Sequence, residues 1–117
     1  MVELHRELTV QHEEVVTIQL EERYLEELVR IVGQYVDTDV WQPVIFGSRA
    51  SGRAQRFSDI DLGFIGSKEL PGNVQAKLWA ALDDSDIPYV VDIVDMSASS
   101  QDFLAVAREH MEYLRIA

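Results

Sequence analysis

Gly47-Ser48-Arg49-Ala50-Ser51-Gly52-Arg53-Ala54-Gln55-Arg56-Phe57-Ser58-Asp59-Ile60-Asp61 is a small-residue turn followed, after the ten residues 49–58, by two alternating carboxylates. The apolar run Val44-Ile45-Phe46 before it reads as a strand ending at Gly47, where the missing side chain lets a phosphate approach the backbone. Ser48 then opens a helix. Its hydroxyl and the unpaired N–H groups of the first turn form a neutral anion site at the positive end of the helix dipole. The spacing allows a turn and about two helical turns before the chain re-enters a strand, so a phosphate site and a metal site fall side by side.

In that strand Asp59, Asp61 and Gly63 share one face, and Ile60, Leu62 and Phe64 share the other, because side chains alternate with period two. Two like charges ~4 Å apart repel by about 4 kcal/mol at an effective dielectric near 20, a cost that a divalent cation relieves. A third acid, Asp92, interrupts the apolar run Tyr89-Val90-Val91-Asp92-Ile93-Val94, where burial penalises a charge that is neither paired nor metal-bound. The chain has no cysteine, and its three histidines are scattered. Three hard oxygen ligands then favour magnesium over zinc or iron, with room for two ions. The set suits in-line nucleotidyl transfer: Asp59 and Asp61 are expected to bridge the ions, and Asp92 to bind at the attacking oxygen and help accept its proton. Asp95, at the end of the same run, reads as a strand-end residue, and the histidines as ordinary surface residues.

These residues resemble the nucleotidyltransferase superfamily of DNA polymerase β, whose signature is Gly-Ser, ten residues, Asp-x-Asp and a later carboxylate on a strand. The wording Gly-Ser-Arg-Ala-Ser-Gly-x-Ala-x-x-x-Ser-Asp-Ile-Asp-Leu is similar to the minimal nucleotidyltransferase branch, as is Ser85-Asp86-Ile87-Pro88-Tyr89-Val90-Val91-Asp92-Ile93-Val94-Asp95. The likeness runs over residues 20 to 112, near enough the whole of an expected domain at 20–117, and leaves 1–19 as an N-terminal extension. It implies an α/β (α+β) fold with a single mixed sheet and helices packed on it. It also implies an enzyme that moves AMP from ATP, with Gly47, Ser48 and Arg49 at the nucleotide and Asp59, Asp61 and Asp92 as catalytic and metal-binding residues. The implied acceptor is a HEPN-domain toxin encoded nearby, the pair acting as antitoxin and toxin. Larger relatives carry a helical domain that holds the acceptor; here nothing follows residue 117, so a partner protein is expected to complete the site. Two other readings are a noncatalytic antitoxin that binds a basic ribonuclease cleft, and a small-molecule transferase acting on an aminoglycoside-like cation.

At 117 residues and 47% hydrophobic content the chain supports one domain that buries roughly two-thirds of its unfolded surface. A formal net charge of -11 repels nucleic acid phosphates and disfavours a polymerase-like role. Arg49, Arg53 and Arg56 form a cationic island with no acid between residues 40 and 58. Arg49, next to Ser48, is read as functional; Arg53 and Arg56 serve either a triphosphate or a solvated helix face. No apolar run is long enough to span a bilayer, and charges interrupt the amino terminus, so a soluble cytoplasmic protein is expected.

Leu25, Leu28, Val29, Val32 and Tyr35 recur at helical spacing and predict a helix over 20–36. Residues 40–46 read as a strand, with Pro43 placing it at an edge or bulge; strands at 60–65 and 89–94 follow. Pro71-Gly72-Asn73 opens a crossover helix with Val74, Leu78, Ala81 and Leu82 as its stripe, ending in Asp83-Asp84-Ser85-Asp86. Ser99 and Asp102 form a capping pattern ahead of a final helix near 100–114 that carries Phe103, Leu104, Ala107, Met111 and Leu114. Residues 1–16 show partial alternation, which fits an extra edge strand, a partner-bound arm or disorder. Trp41, Trp79, Tyr24, Tyr35, Phe57 and Tyr89 read as core or rim residues, one of which could stack on adenine.

Overall fold

The computed structural model describes residues 6–9 and 15–116, with the backbone alone for 6–9 and 15–17. Strands β1 (Arg6–Thr9) and β2 (Val15–Ile18) pair antiparallel with each other and stand apart from the main sheet. Then come α1 (Glu22–Tyr35), β3 (Gln42–Phe46), the single turn α2 (Ser48–Ser51), β4 (Ile60–Ile65), α3 (Gly72–Asp83), β5 (Val91–Asp95), α4 (Gln101–Ala107) and β6 (Met111–Tyr113). The main sheet has the order β5-β4-β3-β6, with β4 and β5 parallel and the other pairs antiparallel. It is the mixed α+β sheet that the family resemblance implies, and α3 makes the crossover that a parallel pair requires.

Alternation assigns the two faces. Ile45, Ile60, Leu62, Phe64 and Val91 pack with Leu25, Leu28, Ile31 and Val32 of α1 and Leu78 and Leu82 of α3. Val44 and Phe46 turn to the opposite face, against Met96 and Ala107. Gly63, paired with Val44, lies on this second face, and a Cβ there would run into the Met96 side chain. Asp61 and Asp92, one residue out of phase with the large core, belong to the same face at the end of the strands.

Three expectations need correction. The final helix stops at Ala107; a single 3-10 turn at Arg108–His110 leads into β6, which pairs with β3. Met111 and Leu114 keep helical spacing with Ala107, but the unpaired edge of β3 demands backbone partners, and that demand outweighs the pattern. β6 thereby makes β3 an interior strand despite Pro43. The absent N–H is tolerated because it lies where the ladder ends: the Leu114 N–H still donates to the Pro43 carbonyl at 2.9 Å. The Gln42 side-chain amide also reaches the Leu114 carbonyl at 3.4 Å. Finally, Ser100, not Ser99, caps α4, its hydroxyl accepting from the Phe103 N–H at 3.1 Å, while the Ser99 hydroxyl donates to the Asp95 carbonyl.

Candidate active site

β3 runs straight into the turn at Gly47, whose φ of 70° lies in the region that glycine adopts without strain. A Cβ there would collide with the Asp61 carboxylate, so the glycine is needed for Asp61 as well as for any phosphate. The helix after it is shorter than the spacing suggested. Gly52, at φ 80°, closes α2 after one turn, and the Arg53 N–H returns to the Ser48 carbonyl at 3.0 Å. Residues 53–59 then form a loop, with Arg53 and Arg56 exposed.

Asp61 sits opposite Phe46 on one side and in register with Asp92 on the other. Asp59 precedes β4 by one residue, and the adjoining Ile60 N–H donates to the Val90 carbonyl at 2.9 Å. Asp59 and Asp92 are exposed and Asp61 is half-buried. Burial pushes the Asp61 carboxyl above its ordinary value; repulsion from Asp92 and Asp59 pushes it further, and Arg49 offsets part of the rise. This mutual repulsion and the all-oxygen donor set fit a hard divalent cation. Among the described residues no three acidic or imidazole side chains stand close enough to enclose one, although Asp61 and Asp92 are cross-strand neighbours.

Arg49 was read as a nucleotide ligand, yet it is 1% exposed. Its guanidinium donates to the Ser58 carbonyl at 2.7 Å and 3.2 Å and to the Gln19 carbonyl at 2.7 Å. It also lies over the Tyr89 ring, 4.2 Å from the centroid. Gln19 completes the clasp: its N–H donates to the Arg49 carbonyl at 2.7 Å, and its side-chain amide brackets both backbone groups of Ala54. Behind them the Tyr89 hydroxyl donates to the buried Glu21 carboxylate at 2.6 Å. Burial, and then that hydrogen bond, raise the Tyr89 phenol above its ordinary value. The sequence reading missed Gln19, Glu21 and Ser58, because nothing in local spacing shows that residue 19 meets residues 49 and 54. Asp95 ends its strand as expected, accepting from the Leu70 and Ser97 N–H groups.

Comparisons with known proteins place this fold in a family. A family model described as polymerase beta, nucleotidyltransferase, matches residues 26–113. The probable protein adenylyltransferase MntA of Haemophilus influenzae is 37% identical over 73 residues, which span 62% of this chain and 61% of that relative's length. A toxin–antitoxin crystal structure with AMP-PNP superposes with a TM-score of 0.64 at 20% identity, over 80% of this chain and 73% of that one. A tri-AMPylated Shewanella oneidensis HEPN toxin in complex with MNT antitoxin gives 0.61 at 17% identity, over 82% and 72%. These structural likenesses carry the fold.

Proposed function

This chain belongs to the polymerase beta nucleotidyltransferase family, and on that premise we propose that it transfers AMP from ATP to a hydroxyl on a HEPN-type toxin partner, as the antitoxin of a two-gene system. The observation that carries the reading is the Asp61–Asp92 cross-strand register beside the Gly47–Ser48 turn. The MntA relative and the toxin–antitoxin neighbours support the choice of acceptor. A cytoplasmic location follows from the reading, since ATP and the partner must meet there.

The chemistry is a displacement at the α-phosphorus. The acceptor oxygen forms a bond to it, the bond to the α,β-bridging oxygen breaks, and pyrophosphate leaves with that electron pair. Gly47 and Ser48 receive the triphosphate, and Asp92 takes the proton of the attacking hydroxyl. Asp59, Asp61 and Asp92 would hold magnesium, up to two ions, which supplies charge neutralisation on the phosphates and lowers the pKa of the hydroxyl. Arg49 is assigned to the loop rather than to the nucleotide: by fixing Ser58 it sets where Asp59 begins.

Labelled ATP tests this reading. Label at the α-phosphate should appear on the HEPN partner and label at the γ-phosphate should not, and Asp92→Asn should abolish incorporation while retaining ATP binding. Incorporation of γ-label, or full activity in Asp92→Asn, would contradict it.

A further inference from the structure

Beyond β5 lies a groove that the aspartate motif does not explain. One part, about 630 Å³, opens between α3 and β5 and has Asp59 and Asp92 in its wall beside Trp79 and Val90. A second part, about 320 Å³, shares Trp79 and Val90 and continues to Ile87 and Pro88. Trp79 is 57% exposed and Val90 68%, an uncommon cost for two large apolar side chains side by side next to catalytic carboxylates.

We propose that this groove receives the polypeptide segment bearing the acceptor hydroxyl, with Trp79 and Val90 as its apolar anchors. The inference rests on the AMP-transfer reading above and follows from strand order. Gly47 and Ser48 follow β3, Asp61 lies on β4, Asp92 on β5 and the groove beyond it. In-line displacement places the attacking oxygen opposite the leaving group. With pyrophosphate held at the end of β3, the hydroxyl must arrive from the β5 side, where the groove opens beside Asp92.

The shape favours a polypeptide over a small molecule. The two parts share Trp79, Val90 and Val91, and among the described residues β5 pairs only with β4, so its outer edge presents backbone groups to an extended segment. Charge favours a basic one: Asp59, Asp83 and Asp92 line the two parts of the groove, and no lining residue is basic. An exposed indole at the centre is the side chain that most often anchors such a contact.

Initial rates of AMP transfer to the HEPN-domain partner protein, with partner and ATP varied separately, test the assignment. Trp79→Ala should raise the KM for the partner by about tenfold and leave kcat and the KM for ATP unchanged, and Trp79→Phe should recover most of the loss. Val90→Asp should act on the same parameter; thermal melting of each variant checks that the fold is intact. An unchanged partner KM in both variants would overturn the inference while leaving AMP transfer standing. A raised KM for ATP instead would assign the groove to the nucleotide base. No transfer by the unaltered chain would overturn the AMP-transfer reading and this inference with it.

Discussion

The charge of Asp61 is in tension with the fold around it. Its carboxyl is raised by burial and by its two neighbouring aspartates, so the folded state binds its proton more tightly than the unfolded chain does. The Asp61 contribution to stability therefore falls as pH rises above the ordinary carboxylate value of about 3.9, because this group holds fewer protons there in the unfolded state than in the native one. Asp61→Asn removes the charge. In chelator-treated protein at pH 7 the variant should melt a few degrees higher than wild type, with the gap closing as pH falls through about 4; a lower melting point at pH 7 would refute the tension. Tyr89 acts the other way. Tyr89→Phe leaves the Glu21 carboxylate, 5% exposed, without its donor and should cost about 1–3 kcal/mol in urea unfolding. That Gly47 and Ser48 follow a strand and that Asp61 and Asp92 fall on neighbouring strands was legible because order and alternation are local. Arg49 was legible as important but not for its partners, since burial of a guanidinium by Gln19, Ser58 and Tyr89 depends on chain segments far apart in sequence.

At the level of elements, α1, β4 and α3 could be read from periodicity because each turns one regular apolar stripe into the same core. The carboxyl-terminal element could not. Ala107, Met111 and Leu114 satisfy a helical period, and only the open edge of β3 decides for a strand. The register Ile45↔Glu112, two residues from the bonded Pro43–Leu114 pair, places Glu112 where its N–H faces β3. Glu112→Pro should remove a ladder bond and cost about 1–3 kcal/mol, measured by urea unfolding, whereas Glu112→Val should be tolerated. A neutral proline would contradict the strand. The end of the β6 ladder also explains how a proline survives inside the sheet, where the sequence alone suggested an edge or a bulge.

At the scale of the whole molecule, a chain with a formal charge of -11 carries a buried arginine clasp and a groove lined by Asp59 and Asp92 together with Trp79 and Val90. Among the described residues no helix is long and apolar enough to cross a membrane. The acidic surface suits a basic protein partner better than a nucleic acid. The decisive measurement is the intact mass of the HEPN-domain partner after incubation with this chain, magnesium and ATP, with Asp61→Asn run in parallel. Mass increments of one or more AMP units, absent with Asp61→Asn, are the predicted result. An unchanged partner mass alongside a tight complex would contradict transfer and leave inhibition by binding alone.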